Sequence, residues 1–141
     1  MNKRESMEWT MSSELYEMPQ IFKHKLLYFI ADEYLQMNQS TKGSKLAYWH
    51  NTGHAQVNEN LFGVSQESLL KTFSDQLIGV HLHDVLNGHH DHYAPGCGMV
   101  DFDMVKSYLK TETIRVMELN QKVHMKETKQ GIDFLKDKGI F

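Results

Sequence analysis

Residues 77–98 read LIGVHLHDVLNGHHDHYAPGCG, and the rest of the chain is organised around them. The apolar run Leu77–Val80 ends abruptly in His81, His83 and Asp84. A polar loop follows with His89, His90, Asp91 and His92, and it closes on Pro95-Gly96-Cys97-Gly98. Five of the nine histidines fall within twelve positions, too dense a cluster for scattered surface residues. A short apolar strand that delivers imidazoles and carboxylates at its C-terminal end marks the rim of a metal site. Gly96 and Gly98 fit a tight turn. His83, His89 and His90 read as solvated loop residues, and Cys97 as incidental.

Other apolar runs end the same way. Lys45–Trp49 reads as a strand that stops at His50-Asn51-Thr52-Gly53-His54. Thr113–Leu119 reads as a strand by its β-branched content, with Glu118 near its end. Met7–Thr10 reads as the stub of a strand that carries Glu8. Between these runs lie helical patterns. Ile21–Met37 has apolar residues at helical spacing. A helix opens after the N-cap Ser65, with Leu69, Leu70 and Phe73 inward. Phe102–Leu109 forms a stripe, and Lys126–Lys138 is the last helix, stopped by Gly139. Ala55–Gly63 is a loop or a short helical piece. The order is strand then helix, four times, which implies a parallel sheet with right-handed crossovers. The fold class is therefore α/β. The unusual polar residues all fall at the C-terminal ends of the strands, where α/β barrels present their chemistry.

Composition limits the function. The chain has 141 residues, enough for one domain with a sizeable core. Its net charge of −3 gives no basic footprint, so nucleic-acid binding is not favoured. The single cysteine excludes an intrachain disulfide and a cysteine-based zinc motif. No apolar run has membrane-spanning length, and MNKRESMEW lacks a signal-peptide core, so no membrane partner and a cytoplasmic location are expected. The nine methionines read as core filler. So do Phe29, Trp49 and Phe134. Glu118 lies within an otherwise apolar parallel strand, which is expected to be covered on both faces. A carboxylate buried there needs a partner, and a metal ion is a good one.

The segments YWHNTGHA, VHLHD, DHYAPGCGMVDF and RVMEL, in that order, resemble the C-terminal half of the xylose isomerase-like TIM barrels. This superfamily holds sugar and sugar phosphate isomerases and epimerases, and apurinic endonucleases of the endonuclease IV type. The resemblance runs from about Met7 onward and implies a partial TIM barrel of about four βα units. It also implies a site. Glu8, Asn51, His81 and Glu118 would be metal ligands, with Asn51 standing where the family carries an aspartate. His54 and His92 would contact substrate or a second metal, and His90 stands where the endonucleases carry an aspartate. Glu8 and Glu118 would be the acid/base pair. The implied cofactor is a divalent metal (Mn, Mg, Co or Zn). The implied substrate is a sugar or sugar phosphate, isomerised through an enediolate. A full barrel needs eight strands, so a homodimer or a missing N-terminal half-barrel is the expected completion. A half-barrel that self-associates without doing chemistry is the alternative from another class. An endonuclease IV-like DNA-repair hydrolase is the third.

Overall fold

The computed structural model describes residues 47–141. The expected strand stub Met7–Thr10, the helix Ile21–Met37 and the candidate ligand Glu8 lie outside the described residues. Within them the chain is mixed α/β. β1 (Tyr48–Asn51) is followed by α1 (Thr52–Phe62) and α2 (Gln66–Phe73). A 3-10 turn then leads into β2 (Leu77–Leu82). β3 (Asp84–Leu86) and β4 (His90–Tyr93) form a hairpin, followed by α3 (Phe102–Tyr108), β5 (Ile114–Met117) and α4 (Met125–Asp137). β1, β2 and β5 pair in parallel with β2 in the centre, and β3 and β4 form a separate antiparallel pair. The three strands form an open sheet, not a closed barrel.

Local sequence explains the boundaries. The Ser65 hydroxyl accepts the Ser68 N–H at 3.2 Å and starts α2. Asp101 caps α3 through the N–H groups of Asp103 and Met104. Glu127 accepts the His124 N–H at 2.9 Å where α4 begins. α1 starts earlier than the sequence suggests, because Asn51 ends β1 and caps the helix in the same step.

The register of the sheet sorts its residues by face, since side chains alternate along a strand. Trp49, Gly79 and Ile114 form one row, and Asn51, His81 and Val116 the next. On the opposite face, His50, Val80 and Arg115 are in register, as are Leu82 and Met117. That second face carries the core. Val80 and Leu82 pack with Leu70 of α2, Val85 of β3, Phe102 and Val105 of α3, and Leu135 of α4. Fully burying one such aliphatic side chain contributes about 1.5–3 kcal/mol.

The first face differs from expectation. Trp49, Ile114 and Val116 are 38, 53 and 40% exposed, so the described residues do not cover the parallel strands on both faces. Trp49 is not core. Its ring lies over Gly79, where a Cβ would collide with it, and its edge meets His81 at 5.2 Å between centroids. Among the described residues, no helix is long and apolar enough to cross a membrane.

Candidate metal centre

The C-terminal ends of β1, β2 and β5 and the base of the hairpin meet around a group of imidazoles. Asn51 is the hub of the group. Its side-chain oxygen accepts the His54 N–H at 3.4 Å and the His83 Nε2–H. Its amide nitrogen donates to Glu118 Oε2 at 3.4 Å and lies 3.5 Å from His81 Nδ1. With both ends of the amide engaged, Asn51 holds the surrounding side chains in place.

Thr52 fixes the end of β2. Its buried hydroxyl donates to the carbonyl of His83 at 2.7 Å and accepts the His83 N–H at 3.0 Å. This carries the His83 ring into the interior, where the residue is fully buried, and corrects the expectation of a solvated loop histidine. The ring lies against the backbone of Gly53, where a Cβ would stand less than 3.0 Å from Cε1 and Nδ1. His83 Nδ1 accepts the backbone N–H of His92 at 2.8 Å. The proton therefore sits on Nε2, which donates to Asn51; the hydrogen-bond network assigns this tautomer. Burial, followed by the neighbouring charges of His92 and His54, lowers the His83 pKa to about 3.

His92 adopts a left-handed backbone with φ of 61°. That conformation is uncommon outside glycine and is retained where surrounding structure enforces it. Two hydrogen bonds hold it here. One runs from its N–H to His83, and the other from Asn120 N–H to the His92 carbonyl at 2.8 Å. The His92 ring stacks on His83 at 4.2 Å with an 8° interplanar angle, and lies 4.9 Å from the His54 ring.

Asp91 joins two of the imidazoles. Its carboxylate oxygens lie 2.6 Å from His54 Nδ1 and 2.8 Å from His92 Nδ1. Partial burial works against its charge. The hydrogen bond from His92 and the charges of His92, His54 and His83 outweigh that and hold its carboxyl below the usual range. A carboxylate on Nδ1 fixes the tautomer and leaves Nε2 as the free lone pair, which is how metal-bound histidines are oriented.

The described residues permit a direct test of fit to a metal. One potential ligand atom from each of His54, His83 and His92 lies within 4.8 Å of the others. Metal–nitrogen bonds of about 2.1 Å require ligand atoms no more than about 4.2 Å apart, so small side-chain rotations suffice. The three imidazoles therefore lie close enough to hold one ion. They are not equivalent. His54 and His92 hold Asp91 through Nδ1, whereas His83 has both ring nitrogens engaged, Nδ1 by the His92 N–H and Nε2 by Asn51. Glu118 Oε2 lies 3.7 Å from His92 Nε2 and 3.2 Å from His81 Nδ1, which brings a carboxylate to the same rim.

Asn51, His54, His81, His92 and Glu118 thus come together, and Glu8 lies outside the described residues. Glu118 follows β5 with its side chain 42% exposed, so it is not the buried carboxylate expected from two covered faces. His89 and His90 are exposed. Sequence reasoning missed His83 and Asp91. The adjacent Asp91-His92 pair was a usable signal. The burial of His83 depends on Gly53 and Asn51, about thirty positions away, and had no local signal.

Asp84 supports the rim from behind. It is buried and accepts four backbone N–H groups, from Val85, Gly96, Gly98 and Val100, at 2.8 to 3.0 Å. This ties the Pro95–Val100 segment to the end of β2. Gly98 packs so closely that a Cβ would collide with the Val85 carbonyl and Asp84.

No family model, curated protein or solved structure matches the chain.

Proposed function

We propose that this rim is the metal-binding side of an enzyme that moves a proton next to the carbonyl of a sugar or sugar phosphate, built on a partial TIM barrel. One observation carries the reading. Three parallel strands deliver Asn51, His81 and Glu118 at their C-terminal ends, and His54 and His92 join them through Asp91. His54 and His92 are the residues that would hold a divalent ion, and Glu118, 3.7 Å from His92 Nε2, would stand beside it as the base. Such an ion supplies positive charge that polarises a substrate oxygen. Glu118 would take the proton from the carbon beside the carbonyl and return it to the former carbonyl carbon, while the neighbouring hydroxyl proton passes to the former carbonyl oxygen. His81, 3.2 Å from Glu118 Oε2, keeps that carboxylate in place. Asn51 donates to the same oxygen at 3.4 Å.

The test is deuterium exchange. The metal-loaded chain is incubated with aldoses, ketoses and their phosphates in D2O, and label at the carbon beside the carbonyl is followed by NMR. The reading expects exchange with at least one of them, and Glu118→Gln should slow it at least about a hundredfold while metal binding remains. A metal-loaded chain that exchanges no sugar overturns the reading.

A second reading has its own observation. Trp49, Ile114 and Val116 form an exposed apolar strip on the sheet face that carries Asn51 and His81. A half-barrel that pairs with a second copy would cover this strip without doing chemistry. A stable dimer that takes up no metal would favour it.

A further inference from the structure

Ring orientation decides which of the clustered imidazoles can share an ion. The His83 and His92 rings stack at 4.2 Å with 8° between their planes. An imidazole lone pair lies in the plane of its ring, so an ion about 2.1 Å from a ligating nitrogen lies in that plane too. Planes so nearly parallel meet only far from the rings. While stacked, His83 and His92 therefore cannot both ligate one ion. His54 is turned 72° to His92, with 4.9 Å between centroids, and inclined planes can meet at a shared ion.

Of the stacked pair, His83 is the ring that is tied down. A neutral imidazole has one lone pair and one N–H. The Nδ1 lone pair accepts the His92 N–H at 2.8 Å, and Nε2–H donates to Asn51. The Thr52 hydroxyl holds both the N–H and the carbonyl of His83. The residue is fully buried. Its ring carries the face of His92 and makes an edge contact with His54 at 5.3 Å. Both imidazoles that hold Asp91 thus rest on His83.

The hold on His92 extends to Glu118. The His92 backbone, with φ of 61°, is bonded on both sides. Its N–H donates to His83, and its carbonyl accepts the N–H of Asn120 at 2.8 Å. Asn120 lies two residues after Glu118. A backbone conformation of this kind persists only where its surroundings impose it. Imposing it also sets the 3.7 Å between His92 Nε2 and Glu118.

We infer that His83 is a positioning residue of the metal centre and not a ligand: a buried imidazole that orients His54 and His92 toward the ion and spaces His92 from Glu118. The inference rests on the metal site of the function proposed above.

The test uses the full chain with nitrogen-15 in its histidines, titrated with zinc and followed by NMR. Without metal, His83 should show the Nε2–H tautomer, with a scalar coupling from the His92 amide to His83 Nδ1. Zinc should shift Nε2 of His54 and of His92 and leave the His83 tautomer and its coupling in place. His83→Phe keeps a ring for the stack and removes the acceptor. Its zinc affinity should fall about tenfold or more with His54 and His92 unchanged, as for other residues that orient metal-bound imidazoles. His83→Asn puts an amide oxygen where Nδ1 stood and should recover part of that loss. A zinc-induced shift at His83 Nδ1 with loss of the coupling, or parent affinity in His83→Phe, would overturn the inference. If neither variant folds, the parent spectra decide by the same criterion. A parent chain that takes up no zinc removes the metal reading and the role of His83 with it. Zinc held by all three imidazoles removes the role of His83 alone.

Discussion

Replacing Gly53 with alanine would test how the imidazole cluster is held together. Gly53 lies in the first turn of α1, where alanine normally stabilises a helix by up to about 1 kcal/mol over glycine. Here the new methyl would stand less than 3.0 Å from His83 Cε1 and Nδ1 and 3.2 Å from Cγ, against an ordinary carbon contact of about 3.5–4 Å. The ring has nowhere to go, because His92 is stacked on it at 4.2 Å. Overpacking of this kind costs about 1–3 kcal/mol. Displacing the ring also breaks its bonds to Asn51 and to the His92 N–H, and a buried donor left unpaired costs about 1–3 kcal/mol. After a helix gain of about 1 kcal/mol is subtracted, Gly53→Ala should destabilise the fold by about 1–5 kcal/mol. In urea that is a midpoint lower by roughly 0.5–2 M with an unchanged slope. The sign decides the matter. A midpoint equal to or above that of the parent, with metal uptake intact, would refute the packing of His83 against Gly53.

Three further outcomes follow from the same contacts. Asn51→Asp replaces the amide that donates to Glu118 Oε2 at 3.4 Å with a second carboxylate. The metal-free protein should lose about 1–3 kcal/mol and bind a divalent ion more tightly, both measurable by denaturation with and without metal. Asp84→Ala leaves four backbone N–H groups without their acceptor. It should cost at least about 3 kcal/mol and speed hydrogen exchange at Gly96, Gly98 and Val100. His50 and His83, with pKa values lowered by burial to about 4 and about 3, stay neutral when folded and take up protons when unfolded. The unfolded state thus binds more protons below the ordinary histidine pKa. Stability of the metal-free protein should fall as pH drops from about 7.5 to 5.5, by about 1.4 kcal/mol for each histidine, and go on falling toward their folded values. A flat profile over that window would show that neither imidazole is held neutral.

The sequence carries the parallel strands and their polar ends clearly. Leu77–Leu82 is a strand that contains the apolar run Leu77–Val80 and extends two residues past it. The strand ends at Asn51, His81 and Glu118 meet because parallel pairing brings like ends together. The hairpin has a local signal as well. Asn87-Gly88 is a strong hairpin signal, and both residues have positive φ, 51° and 81°, but the histidines around them suggested a ligand loop. Trp49 and Glu118 depart from expectation for one shared reason. A parallel sheet is expected to be covered on both faces, and one face is exposed at Trp49, Ile114 and Val116. His83 lies outside what any local pattern reveals, since its burial comes from Gly53, Asn51 and the left-handed backbone of His92.

Cobalt(II) titration of the purified chain, followed by the visible absorption of the ion, tests the metal centre most directly. The account predicts one ion per chain with a spectrum of nitrogen and oxygen ligation. The spectrum should be lost in His54→Ala and in His92→Ala, while the circular dichroism of both variants matches the parent. No uptake by the parent chain, or uptake unchanged in both variants, would contradict it.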